Sequence, residues 1–446
     1  MSVWGDIKNR ISSSPTKQKV FSNLFWAILG KVVNLMGSLL VGIFVAQYLG
    51  PEKYGLMNYV ISVITIFQIV AQFGFDSIEI REESRRTEMR DSLIGTVFIL
   101  RLILSIFAII TVVFYVFLFE EDAFTRDLVM IYSLSIVLSV FNVTRNHFTA
   151  LVWNEYVVKT EISRTIIGIC LKVVLLLCQA SLIWFIWSLV FDAFLLASGY
   201  AISYKRKIAS FRLWHFDMSV AKYLICQSFP LLLSGAAIVI YQRIDQVMLG
   251  QMLDKSVVGQ YSVAVRFVEV LVFIPTIIAQ TVSPLLVKYH QENDMEYARK
   301  AEIFMNVTVW VCVLAAISLC VLSFPVVYFT FGMQYLPAVS ILAIMSFKVI
   351  GAALSQTSGQ LIIIEEKQKW VSIRNVIGCL VCVVLNYLVI RSYGAIGAAI
   401  VSITTIFSSG FIANYLIPDY RVFFRMQVFA LLIGWKDIVH YKKLLR

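Results

Sequence analysis

Charge is what this sequence has least of. Of its 446 residues only 15% are Asp, Glu, Lys or Arg, while 59% are hydrophobic and the mean hydropathy is +0.82. A water-soluble chain carries roughly a quarter of its residues as charge. The 38 basic and 27 acidic side chains here cannot clothe a core of this size in water. Proline is down to 8 and glycine to 21, which excludes collagen-like and low-complexity architectures. The seven cysteines stand in apolar stretches, so a disulfide scaffold is excluded as well. Cys379 and Cys382 have redox spacing, but they lie inside IGCLVCVVLNYLVI, where cysteine serves as a small apolar helix residue. His147, His215, His290 and His440 are too scattered to place a metal site, and no cofactor is expected. These absences leave an all-α integral membrane protein.

A membrane-crossing helix needs about 20 mostly apolar residues. Twelve segments qualify, at about 20–48, 56–78, 93–119, 128–150, 161–180, 181–203, 223–250, 261–288, 303–331, 336–364, 372–392 and 394–417. The fifth and sixth touch, which demands a tight hairpin around Gln179-Ala180-Ser181. VFFRMQVFALLIG, from Val422 to Gly434, is too short to cross and is expected to lie in the interface. The same holds for VWGDIKNRI, whose Trp4, Ile7 and Ile11 share a helix face. The first twenty residues are polar and contain no secretory signal.

Lys and Arg divide unequally between the loops on the two sides. The side holding the N-terminus has 27 of them, and the other has four: Lys53, Arg126, Lys255 and Arg391. With an even number of spans, this bias places both termini in the cytoplasm. The net charge of +11 is therefore mostly topology. Nucleic-acid binding would need a basic face on a soluble domain, and no loop is long enough to form one.

Seven cations remain within the spans: Lys31, Arg101, Arg145, Lys172, Arg243, Arg266 and Lys348. The acids there are Asp76, Asp192, Asp245 and Glu269. Each charge at mid-membrane costs about 2.5–3.5 kcal/mol, so these side chains are expected to face a wet interior or to pair. Snorkelling offers Arg101 and Arg145 a third way out, since both lie near a cytoplasmic end. Lys31, Lys172 and Lys348 lie near mid-span. Arg266 and Glu269, three apart, share a helix face, whereas Arg243 and Asp245, two apart, do not. If every acid pairs, a surplus of about three positive charges remains to attract a polyanion. Polar residues at helical spacing (Asn58, Ser62, Thr65, Gln68 and Gln72; Ser262, Arg266, Glu269, Thr276, Gln280 and Ser283) mark helices that line water or pack on one another. Pro275 and Pro284 interrupt the backbone bonding of the eighth span, a feature of transporter helices near substrate.

The chain also carries an internal repeat. Leu49-Gly50 and Leu249-Gly250 each precede a short outer loop, then a glycine with a tyrosine beyond: Gly55 and Tyr59, Gly259 and Tyr261. This predicts two parallel six-helix bundles, 20–203 and 223–417, joined by a basic linker at 204–222. A cytoplasmic segment, 1–19, precedes them, and a basic cytoplasmic tail, 418–446, follows.

Four stretches, YLGPEKYGLMNYV (48–60), RIDQVMLGQMLDKSVVGQYSVAVRFVE (243–269), FTFGMQYLPAVSILAI (329–344) and NYLVIRSYGAIGAAIVS (386–402), carry a family resemblance. The sequence resembles the polysaccharide repeat-unit flippases, the O-antigen type, of the multidrug/oligosaccharidyl-lipid/polysaccharide exporter superfamily. The resemblance extends over essentially the whole chain. It implies a V-shaped alternating-access transporter of the bacterial inner membrane, not an enzyme. Its substrate would be an oligosaccharide on undecaprenyl diphosphate, flipped from the cytoplasmic to the periplasmic leaflet for O-antigen, capsule or exopolysaccharide assembly. Membrane lipids, a polysaccharide polymerase and a chain-length regulator are the implied partners. Lys31, Arg266 and Lys348 are then the first candidates for diphosphate contacts, followed by Arg243, Lys172, Arg145 and Arg101. Asp76, Asp245 and Glu269 are candidates for ion coupling or charge pairing.

Multidrug and lipid II exporters of the same superfamily are the alternatives. Drug exporters usually place acids in the cavity, but span one here has Lys31 and no acid. The lipid II branch usually has fourteen spans and clustered arginines, and span two here has no cation. A membrane polysaccharide polymerase would need a large outer loop, which this chain does not have. An ATP-driven pump is disfavoured, because no G-x-x-x-x-G-K-[ST] phosphate loop occurs.

Overall fold

In hydrocarbon every backbone N–H and C=O must be satisfied within the chain, and apolar runs of this length can do so only as helices. The computed structural model describes residues 15–85, 87–208 and 210–436, and of the side chains before Met36 only that of Asn34. Among the described residues there is no strand. Nine helices there are long and apolar enough to cross a membrane. The chain is a multi-pass membrane protein.

The helices are α1 (Pro15–Gln72), α2 (Phe75–Arg85), α3 (Arg90–Phe119), α4 (Ala123–Leu138), α5 (Asn142–Ala150), α6 (Asn154–Leu177), α7 (Leu182–Lys207) and α8 (Met218–Met252). There follow α9 (Lys255–Glu292), α10 (Asp294–Val321), α11 (Ser323–Phe331), α12 (Ala338–Met345), α13 (Lys348–Ile364), α14 (Val371–Phe407), α15 (Ala413–Leu416) and α16 (Arg421–Leu432). Two of the long helices are broken at one residue. Gly50 (φ 72°) divides α1 and Gly394 (φ 57°) divides α14, in a left-handed conformation that glycine adopts without steric cost. Both breaks fall where the sequence separates successive spans, and the expected outer loop after Gly50 shrinks to that one glycine followed by Pro51.

The hairpin between α6 and α7 sits where the sequence demanded it, with Gln179 at φ 50°. α9 continues as helix through both Pro275 and Pro284. At twelve residues, about 18 Å by helical rise, α16 is too short for a hydrocarbon core of about 30 Å. The amphipathic segment expected around Trp4 to Ile11 lies outside the described residues.

The chain divides into two compact units, Met1–Val45 with Phe67–Leu232, and Ala46–Ile66 with Leu233–Arg446. The core of the first gathers Phe75, Ile78, Ile94, Val97, Phe148 and Tyr204 from α2, α3, α5 and α7. In the second, residues 46–66 are held by polar contacts. Tyr335 donates to the Ala46 carbonyl at 2.9 Å, Gln47 to the Thr330 carbonyl at 2.6 Å, and Ser62 bonds Gln246. Chain order alone would join residues 46–66 to 20–203; their packing joins them to 233–446.

Asp217 precedes α8 and accepts from the amides of Ser219 (2.7 Å) and Val220 (3.3 Å). The Ser219 hydroxyl and these two amides hold its carboxyl below the usual carboxylate range. Its contribution is therefore complete above the ordinary value of 3.8 and is lost as pH falls through the lower folded value. Hydrogen exchange is expected to show faster exchange at Ser219–Ala221 in Asp217→Ala, with no such change in the middle of α8.

Candidate functional site

The second unit contains a cavity of about 190 Å3 walled by α8, α9, α13 and the second half of α14. Tyr241, Gln242 and Asp245 enter it from α8, Tyr261 and Glu269 from α9, and Lys348, Ser355 and Gln356 from α13. Lys348 stands at the first turn of α13 and donates to the Ser402 hydroxyl at 2.6 Å. Its described partner is thus a neutral hydroxyl, which leaves the ammonium's charge uncompensated by that contact.

Asp245 is buried at 2% exposure and accepts from Tyr261 and Asn386, each at 2.6 Å, with the Cys382 thiol at 3.5 Å. Three neutral donors hold this carboxylate in place. As the two-residue spacing predicts, Arg243 does not pair with Asp245; it pairs with Glu269 on α9 at 3.3 Å. Arg266 has Tyr54 and Glu269 as its electrostatic neighbours. Glu269 thus has Arg243 as its ion-pair partner and Arg266, three residues before it on α9, as an electrostatic neighbour.

In the first unit the expected cations are more closely tied. Arg101 is 1% exposed and donates to Asp76 at 2.5 Å and Glu79 at 3.1 Å. Lys172 donates to Asp192 at 2.5 Å. This carboxylate occupies the space a side chain at Gly168 would fill. Arg145 stands 3.7 Å from Glu161, which also accepts from Tyr200 at 3.2 Å. Lys31 lies on α1, but its side chain is outside the described residues. Of these cations the structure places Lys348 in the wall of the cavity and ties Arg243 to Glu269 in the same wall, and it gives Arg101, Lys172 and Arg145 acid partners.

The acids Glu79 and Glu161 were not counted among the span residues, and they narrow the surplus of three positive charges that composition suggested. Arg374 was missed in the opposite way. It sits in a basic stretch, yet the structure buries it at 6% exposure, with its guanidinium 3.5 Å from the Asn414 side-chain oxygen. His147 and Glu83 were missed too. They meet at 2.6 Å with both side chains 2% exposed. A signal for them existed: Asp76, Glu79 and Glu83 fall at i, i+3 and i+7, one face of a helix.

The polar stripes serve packing in part. Ser62 bonds Gln246, Gln360 donates to Ser283 at 2.7 Å, and Thr65 and Thr276 return their hydroxyls to their own helices.

The polysaccharide biosynthesis protein family matches residues 20–290, more than half of the chain. The chain belongs to that family. Among curated proteins no relative matches. Several solved structures share the fold of this family member. The lipid II flippase MurJ in an inward closed conformation has a TM-score of 0.70 at 16% identity, over 94% of this chain and 100% of that one. An inward-facing multidrug resistance MATE-family transporter of the MOP superfamily scores 0.64 at 14% identity, over 92% and 96%. A MOP superfamily transporter from Pyrococcus furiosus, described by the reverse polarity of its binding pocket, scores 0.56 at 12% identity, over 96% and 97%. This polysaccharide biosynthesis protein thus has the all-α transporter fold of that superfamily.

Proposed function

We propose that the protein flips oligosaccharide repeat units linked to undecaprenyl diphosphate across the bacterial inner membrane. Transfer runs from the cytoplasmic to the periplasmic leaflet and supplies O-antigen, capsule or exopolysaccharide assembly. Both termini are cytoplasmic in this reading, as the 27-to-4 division of Lys and Arg requires. The observation that carries the reading is membership of a polysaccharide biosynthesis family on a transporter fold.

The physical problem is a charged, hydroxyl-rich headgroup on a hydrocarbon tail. Crossing hydrocarbon unaided would leave every one of those polar groups without a partner. The cavity in the second unit offers complementary chemistry. Lys348 supplies an ammonium, Arg243 is held at the wall by its ion pair with Glu269, and Tyr241, Gln242, Ser355 and Gln356 offer donors and acceptors of the kind sugars use. Its volume of about 190 Å3 is below the roughly 300–1,000 Å3 of sites that swallow a whole small ligand. It therefore holds one phosphate or one sugar ring, and the remainder of the headgroup makes its contacts elsewhere.

A charged hydrogen bond contributes about 1.5–3 kcal/mol, or about tenfold to a hundredfold in occupancy. Lys348→Ala is accordingly expected to lower delivery of surface glycan by that factor in cells that depend on this chain. Protein in the membrane should be unchanged, and Lys348→Arg should retain part of the activity. Arg266→Ala and Lys31→Ala are expected to act in the same direction. Normal surface glycan in all three alanine variants, measured at equal protein level, would refute the assignment.

A further inference from the structure

In the first unit, α6 and α7 run antiparallel and leave an open groove of about 390 Å3 between them. Their register is fixed by three contacts: Lys172 on Asp192, Thr160 against Gly199, and the Lys207 ammonium 5.6 Å from the Tyr156 ring. The groove therefore has two chemically distinct ends. One carries Lys159 and Lys207, with Lys205 and Arg206 adjoining; the other is lined by Ile167 and Leu195. Between them stand Thr160, Ser163 and Ser203, and Gly199 keeps the floor low.

Opposing charge at the basic end is small. Glu155 holds Lys159 at 2.5 Å, and Glu161 on the same helix is engaged with Arg145, Asn34 and Tyr200. Arg164, also in the wall, gives one nitrogen to the Asn34 side-chain oxygen at 3.1 Å, and its buried Nε has no partner. From Tyr156 to Ile167 the groove runs eleven residues, about 17 Å of helix. That is close to half of a hydrocarbon core of about 30 Å, the depth of one leaflet.

We propose that this groove binds an anionic phospholipid, with its phosphate at Lys159 and Lys207 and an acyl chain lying toward Ile167 and Leu195. A small soluble anion would have no use for the apolar end, and a neutral lipid none for the basic one. The proposal is independent of the cavity in the second unit and of what the protein transports.

The test is native mass spectrometry of the full chain in neutral detergent, titrated with phosphatidylglycerol or with phosphatidylcholine. Two lysines near a headgroup should favour the first lipid by about thirtyfold. Lys159→Gln/Lys207→Gln should bring the ratio close to one. Ser163→Trp, which fills the groove from an exposed position, should weaken retention of both lipids. Arg126→Gln, a half-buried cation on α4 away from the groove, should change nothing. Three results would overturn the proposal: no preference in the parent protein, a preference that survives the double replacement, or retention of inorganic phosphate as strong as that of the lipid. A dimer abolished by Ser163→Trp would also overturn it, by assigning the groove to a second copy of the chain.

Discussion

Arg101→Ala is expected to destabilise the first unit by about 3–5 kcal/mol, the cost of breaking a buried ion pair from one side. The guanidinium is almost wholly buried and bridges Asp76 and Glu79, and Glu79 has no exposed side-chain surface at all. Asn146 completes the cluster by donating to Asp76 and Glu79, each at 2.7 Å. Once the arginine is gone, a single amide is left to hold two carboxylates. Arg101→Lys should be intermediate, because one ammonium lacks the planar fork that reaches two acceptors. Arg101→Met with Glu79→Leu should recover much of the loss, since exchanging both partners of a buried pair for apolar groups is often neutral. The half-life of folded protein during heating in detergent measures all of these, because unfolding of such a chain is read as a rate. An Arg101→Ala half-life equal to that of the parent would show that the cluster is solvated.

What could be read from the sequence was set by local chemistry. Apolar length gave the helices, because lipid leaves the backbone no other solution. Single residues placed the turns: Gly50, Gly394 and the Gln179 hairpin each lie where the chain had to reverse within a few residues. Pairing across helices could not be read. Arg266 and Glu269 were visible as neighbours because three residues separate them, but Arg243 reaches the same carboxylate from another helix, and that depends on helix register. The acids of α2 were obscured by the arginines around them. Arg81 and Arg85 make the segment look like a solvated loop, whereas helical periodicity turns Glu79 and Glu83 inward. Arg374 was hidden by Lys367 and Lys369 in the same way. That Lys348 would line a cavity was legible because a lone cation at mid-span has few places to go.

Gly55→Ala and Gly259→Ala are each expected to cost more than about 3 kcal/mol, beyond the usual range for an added methyl group. The repeat seen in the sequence brings these two glycines together in space. A Cβ at Gly55 would overlap the carbonyl of Lys255, and one at Gly259 would overlap the carbonyl of Pro51. The obstacles are backbone atoms, which cannot swing aside as side chains do, so the start of α9 and the segment after Gly50 would have to move apart. The contacts that hold residues 46–66 to this unit, including Tyr335 on Ala46 and Ser62 on Gln246, would stretch with them. The two losses should not add, because both substitutions break the same crossing. Gly235→Ala provides the control: nothing lies within 4 Å of a Cβ there, and alanine in that helix should be neutral or gain about 0.5–1 kcal/mol. Equal heat resistance of Gly55→Ala and Gly235→Ala would mean that the crossing has slack. A large loss confined to Gly55 and Gly259 would mean that the repeat persists because two helices must touch there without side chains.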